Sequence, residues 1–361
     1  MKISGYQLFW LIFSMEFGMT ALFTISTPVF LAKQDAWISM IIATLICLFT
    51  TFIAVKLSLL YPEQTFIQYT QTILGKWLGK IILLPYFVMW ISVTGIILRE
   101  YADFVYLALF SSTPLWIVIL IMLGAIVYVT YSGGLRSISR SAEIIGPISA
   151  LGCIVILLFS FKDWDWYNLL PVYANSGVIP IVKASFTPAS FLSESFMVVM
   201  LIAFMTKPKR AMISSLLGVA AASIAVLAMV LVVILVFGPH LSAKFIYPLY
   251  SAMSYISVMD FIQNVDVLAV LLWIVGIFIK LSLYVFITSY GTAQLFHMKK
   301  WQHAIWWIAP IVFVISLLPR NTNDSMHYAK FWLAVIFPIN LIGMPLLLWF
   351  IGIIRKKSTL R

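Results

Sequence analysis

Long apolar runs separated by short polar stretches dominate the chain. They predict membrane-spanning helices, since about 20 predominantly apolar residues cross a bilayer. Ten such runs fall at roughly 8–32, 37–60, 81–109, 114–131, 142–161, 184–206, 212–238, 266–296, 304–319 and 331–354. The expected architecture is an all-α integral membrane protein of ten transmembrane helices, a single transmembrane domain over 1–361. Five spans per half turn the two halves, about 1–161 and 178–354, in opposite directions across the bilayer, which allows inverted repeats. No residue-level similarity between the halves is evident.

Two stretches between the runs carry their own pattern. Residues 61–80 are too polar to span. They predict an amphipathic surface helix with Phe66, Ile67, Ile73, Leu74, Trp77 and Leu78 toward lipid or protein. Residues 239–265 are rich in aromatics; they either fold back over the outer mouth or form a partly ordered loop. Tryptophans gather at run ends, where an amphipathic ring suits the headgroup layer.

Composition agrees. The chain is 63% hydrophobic and 10% charged, against about 25% charged in soluble domains. The net charge of +11 suggests nucleic acid only in a soluble protein; here it follows the loops. With the N-terminus placed in the cytoplasm, fifteen basic residues flank the spans on the cytoplasmic side and six on the other. This positive-inside bias predicts both termini in the cytoplasm. The first apolar run is too long, and too charged at Glu16, for a cleavable signal peptide. Cys47 and Cys153 lie in apolar runs as small buried hydrophobes, with no disulfide framework. The four histidines are scattered at loops and span ends, and no metal-binding, nucleotide-binding or catalytic motif is present.

Charges inside the spans mark candidate chemistry, because each is expensive in hydrocarbon. Span one carries Glu16 near its middle, then Gly18, with Ser14, Thr20, Thr24 and Ser26 around them. That pattern fits an interrupted helix offering bare backbone groups to a polar solute. The plainer alternative is a glycine for close packing beside a buried acid. Span six begins with SFTPASFLSESF, residues 185–196, in which Pro188 removes a backbone donor and Glu194 adds a second acid. A proline kink with back-bonding serines is the simpler alternative, but span six opens the second half as span one opens the first. Span eight carries Lys280, with Ser282, Thr288 and Ser289 after it; Glu16 is its expected partner. In span three, Arg99 and Asp103 are four apart on one helical face and able to pair, either as a structural clamp or as the lining of an outer vestibule. Glu143, Gly146, Pro147 and Gly152 in span five read as a hinge or packing feature.

The opening ISGYQLFWLIFSMEFGMT, the Arg99-Glu100 pair followed by SSTPLW, the SFLSESF of span six and the KPKRA turn at 207–211 resemble the B subunits of bacterial spore germinant receptors. Those belong to the amino acid–polyamine–organocation group of transporters, and the resemblance covers essentially the whole chain. It implies a LeuT-like fold of two inverted five-helix repeats with helices one and six broken. It implies a subunit that senses a small nutrient, typically an L-amino acid, without a cofactor, beside receptor A and C subunits in the inner spore membrane. A germinant carboxylate would meet N–H groups near Gly18, Met19 and Thr20, and its amino group carbonyls from Thr187 to Phe191. The candidate ligand residues are thus Glu16, Phe17, Gly18, Met19, Thr20, Thr187, Ser190, Phe191 and Glu194. Lys280, Arg99, Asp103, Ser282 and Thr288 serve coupling or ion pairing. Lys280 would supply the charge that a cation brings between spans one and eight in sodium-coupled relatives. Departures are the absence of a double glycine in span one and Glu194 one place early. The alternative activity is that of a proton-coupled amino-acid permease.

Overall fold

The computed structural model describes residues 1–173, 177–255, 265–321, 324 and 336–359, nearly all of them helical. Residues 256–264, the start of the expected tenth span at 331–335, His327, Lys330, Trp332 and Arg361 lie outside the described residues. The helices are α1 (Gly5–Phe23), α2 (Ser26–Ala32), α3 (Ala36–Ser58), α4 (Phe66–Leu74), α5 (Lys76–Ala108), α6 (Leu115–Ser160), α7 (Val178–Leu192), α8 (Val198–Leu201), α9 (Ala211–Ser242), α10 (Pro248–Tyr255), α11 (Val265–Leu295) and α12 (Gln302–Leu317). A final helix, Met344–Thr359, continues from a π-turn at Pro338–Gly343.

Eight helical stretches among the described residues are long and apolar enough to cross a membrane. The expected fourth and fifth spans arrive as one run, α6, which turns at Gly134 (φ 54, ψ −145), a conformation open to glycine and strained for other residues. Gln302–Leu317, the expected ninth, is shorter than the rest. Large apolar side chains such as Leu45, Phe49, Ile121, Ile144, Ile213 and Phe350 project outward from these helices, as a lipid-facing surface requires. With this composition and these helices, the chain is an integral membrane protein.

The three most thoroughly buried stretches are Gly5–Phe23, Val178–Phe204 and Ala269–Leu295. They carry Glu16, Glu194 and Lys280. α1 packs against α6, α9 and α11, while α3 packs against α7 and α9. A Cβ added at Gly18 would come within 3.3 Å of the Gly276 Cα, so the two glycines let α1 and α11 approach closely.

Capping fixes the ends that matter. Ser4 and Gln7 form a capping box at the start of α1, and Gln7 also donates to Glu143 on α6. Thr65 and Gln68 do the same for α4. α4 is shorter than the expected amphipathic segment: Phe66, Ile67 and Ile73 are buried, while Trp77 and Leu78 sit exposed in the first turn of α5.

Candidate functional site

Both expected interruptions exist, each displaced toward the C-terminus. Span one breaks at Thr24–Ile25, not at Gly18–Thr20. The α1 ladder ends with Thr24 N–H on the Thr20 carbonyl at 3.2 Å and resumes with Val29 N–H on Ile25. The Thr24 hydroxyl also donates to the Thr20 carbonyl, at 2.7 Å. Pro28 has no N–H to give, and so loosens the first turn of α2. Glu16, Phe17, Gly18, Met19 and Thr20 therefore lie in continuous α-helix and are all buried, their N–H groups committed to the helical ladder. Gly18 serves the crossing with α11, and Phe17 stacks on Phe13 at 5.6 Å.

Span six runs as regular helix through Thr187, Pro188, Ser190 and Phe191. It then tightens into a 3₁₀ segment at Ser193–Met197. Ser193 N–H is shared between the Ala189 and Phe191 carbonyls, and the Ser190 hydroxyl bonds back to Phe186 at 2.8 Å. The carbonyls of 187–191 are thus less available than expected, and the irregular backbone falls at SESFM.

Three side chains of α3 hold that irregular segment. The Cys47 thiol donates to the Leu192 carbonyl (2.8 Å), Thr50 Oγ1 donates to Ser193 Oγ (3.3 Å), and Thr51 Oγ1 lies 2.7 Å from Ser195 Oγ. These polar groups satisfy backbone and hydroxyls where the helix cannot.

The charged centre lies in the 3₁₀ segment. Lys280 Nζ stands 3.1 Å from Glu194 Oε2, with 0% and 3% of the side chains exposed. This corrects the expected partner: Lys280 pairs with Glu194, not Glu16. The contact is an ion pair; the ammonium has no hydrogen bond of ordinary geometry. The Tyr284 hydroxyl donates to the same Glu194 oxygen, and the Phe191 ring centroid lies 5.5 Å from Nζ. Glu16 is fully buried and within electrostatic reach of both Lys280 and Glu194. The Ser195 N–H is close enough to interact with its carboxylate, yet neither oxygen has a hydrogen bond of ordinary geometry. Two carboxylates, Glu194 and Glu16, share one ammonium here, and the buried Glu100 is within electrostatic reach of it as well. In so dry a setting the second carboxylate leaves a place for a positive charge. Ser14, Thr20, Ser282, Thr288 and Ser289 add buried hydroxyls without partners along α1 and α11. A buried void of about 10 Å³ lies against Glu194, lined by Met89, Trp90, Phe196, Met197, Tyr284, Phe337 and Leu341. It holds a water at most.

Arg99 and Asp103 pair with each other, beside a buried Glu100 that is within electrostatic reach of Asp103, Glu194 and Lys280. Arg99 Nε is 2.8 Å from Asp103 Oδ1, and Nη1 donates to the Pro319 carbonyl at 2.7 Å, tying α5 to the end of α12. Close by, the rings of Phe23, Phe104, Tyr247 and Trp273 pack edge to face. Tyr247 and α10 thus bring residues 239–255 of the expected outer segment against that end of the molecule. At the opposite end Ile3 pairs with Met205, its N–H on Phe204 (2.8 Å) and its carbonyl taking Thr206 N–H (2.9 Å). A surface groove of about 770 Å³ beside Gln71, Lys76, Gln294 and His297 opens on solvent, remote from the charged centre. Among the described residues no group of three His, Cys, Asp or Glu is arranged to hold a metal.

Tyr284 and the Cys47–Thr50–Thr51 row escaped the sequence reading. Tyr284 is legible in hindsight, four residues after Lys280 and so on its face. The threonines of span two resemble ordinary back-bonding residues and gave no signal.

The sequence model described as "Spore germination protein" matches residues 2–325. Spore germination protein YndE of Bacillus subtilis (strain 168) is 26% identical over 81% of this chain and 80% of its own length. Spore germination protein KB of the same organism is 26% identical over 99% of this chain and 96% of its own. Among solved structures, a Na+-coupled sialic acid symporter superposes with a TM-score of 0.65 at 12% identity, covering 94% of this chain and 79% of that one. MhsT in complex with L-phenylalanine gives 0.64 at 11% identity, covering 93% and 86%. At such identities the likeness shows the fold, which is that of LeuT-like transporters. By the extent of the family match, the chain belongs to the spore germination protein family.

Proposed function

We propose that this chain is the nutrient-sensing membrane subunit of a spore germinant receptor, and that its ligand is a small zwitterion, an L-amino acid. The observation that carries the reading is the charged centre: Lys280 ion-paired to Glu194 in the 3₁₀ break, with Glu16 beside them, sharing the same ammonium and making no hydrogen bond of ordinary geometry. A ligand carboxylate has Lys280 to meet, and a ligand ammonium has Glu194 and Glu16. The void at Glu194 is far smaller than an amino acid, so binding is coupled to an opening of the bundle. A ligand that binds the open form better shifts the population toward it, and receptor A and C subunits in the inner spore membrane would read that shift. In this reading both termini lie in the cytoplasm and residues 1–161 and 178–354 form inverted halves. A germination assay over a panel of amino acids and sugars, in spores carrying this receptor alone, tests it. The expected result is a response to at least one amino acid that Glu194→Gln removes; a response to sugars alone sinks it.

A second reading, a proton-coupled amino-acid permease, is favoured by the same Glu16, a buried carboxylate with no ammonium of its own and a natural proton acceptor. Liposomes containing the isolated chain separate the two. Uptake of labelled L-alanine driven by a pH gradient supports the permease, and binding without uptake supports the sensor.

A further inference from the structure

The void at Glu194 has a thin side. Phe337 and Leu341 line it, and the same two side chains line a second, larger cavity of about 430 Å³ on the flank of the bundle. That cavity runs between α3, α7 and the Pro338–Gly343 π-turn, with Phe49 and Phe186 on its rim and Ser190 and Ser193 on its wall. It is overwhelmingly apolar. A π-turn of the kind that often marks functional sites carries this partition. Pro338 removes a backbone donor from the turn, and the Tyr86 hydroxyl, donating to the Asn340 carbonyl at 2.6 Å, pins it to α5. Tyr86 in turn stacks on Phe196 of the 3₁₀ segment, with centroids 5.7 Å apart. The π-turn and the span-six break are thus held to one another through a single tyrosine.

Resting on the ligand reading above, we propose that Phe337 and Leu341 are the specificity-determining wall of the ligand's side-chain subsite. The charged centre fixes the ammonium and carboxylate, and a side chain leaving it toward Met89, Trp90 and Phe196 runs into these two residues. Their bulk restricts the site to amino acids with small apolar side chains. The flank cavity is the space that a larger side chain would enter if the wall were cut back.

Equilibrium binding to the purified full chain in lipid nanodiscs tests this, with L-alanine, L-valine, L-leucine and L-phenylalanine as probes. Wild type is expected to favour the smallest of them. Phe337→Ala should improve L-leucine and L-phenylalanine relative to L-alanine by about tenfold or more, the scale of discrimination set by a few methylenes in an apolar pocket. Leu341→Ala should move the ratio the same way and serves where Phe337→Ala does not fold; Phe337→Trp should tighten it. Retained L-alanine binding with an unchanged ratio in both alanine variants overturns the wall and leaves the ligand reading standing. A wild type that binds L-phenylalanine as tightly as L-alanine also overturns it. Binding of no probe by wild type or variants overturns the charged-centre reading, and the wall with it.

Discussion

Lys280 has one carboxylate at ion-pair distance and a second nearby without a cation of its own, so the two acids are not equivalent. Removing Glu194 leaves the buried ammonium with no carboxylate at ion-pair distance, only Glu16 within electrostatic reach, an effect of up to about 3–5 kcal/mol. Glu194→Gln should therefore lower the thermal unfolding midpoint in detergent well below wild type, and Glu16→Gln should lower it much less. A double-mutant cycle between Glu194 and Lys280 should give a coupling of about 1–3 kcal/mol, larger than the cycle between Glu16 and Lys280. Equal couplings would contradict the pairing. All three charges were legible in the sequence as anomalies in hydrocarbon. Their pairing was not, because one helical turn, about 5.4 Å, decides which acid faces the lysine. Nothing in the chain's local pattern fixes how far spans one and six slide against span eight.

At the scale of elements, the breaks show why local pattern reached the right helices and missed the right turns. Glycine and proline mark where a helix is weak in isolation. Here Gly18 answers to a helix crossing and Pro188 is absorbed within α7, so the interruptions move on to Thr24–Ile25 and Ser193–Met197. A side chain larger than methyl at Gly18 has no room against Gly276. Gly18→Leu should abolish ligand response with a marked loss of thermal stability in a protein still inserted in the membrane, while Gly18→Ala is tolerated far better. The row on α3 gives a second check. Cys47→Ser keeps a donor for the Leu192 carbonyl and should behave nearly as wild type. Cys47→Val combined with Thr51→Val leaves the 3₁₀ segment without two of its partners, costing about 1–3 kcal/mol per group left unsatisfied. That variant should unfold earlier and lose the response.

The whole molecule is closed around its charged centre. An aromatic cluster of Phe23, Phe104 and Tyr247 packs at one end, and the Ile3–Met205 pairing at the other joins the start of span one to the end of span six. The apolar runs anticipated a helical membrane bundle, though not the count of spans, because lipid leaves helices as the only open-chain solution to backbone hydrogen bonding. They did not anticipate these closures, which depend on residues brought together from opposite ends of the sequence. If the bundle must open for ligand, locking one closure should silence it. Ile3→Cys with Met205→Cys, oxidised, should block ligand response and recover it on reduction, with single-cysteine variants unaffected; the native Cys47 and Cys153 are buried and leave little background. The most direct test of the account is saturable binding of a labelled L-amino acid panel to the purified chain, compared with Glu194→Gln and with the Glu194→Gln, Lys280→Met pair. The account predicts that wild type binds at least one member and that both variants lose at least about tenfold in affinity. Wild-type affinity in the two variants would contradict it.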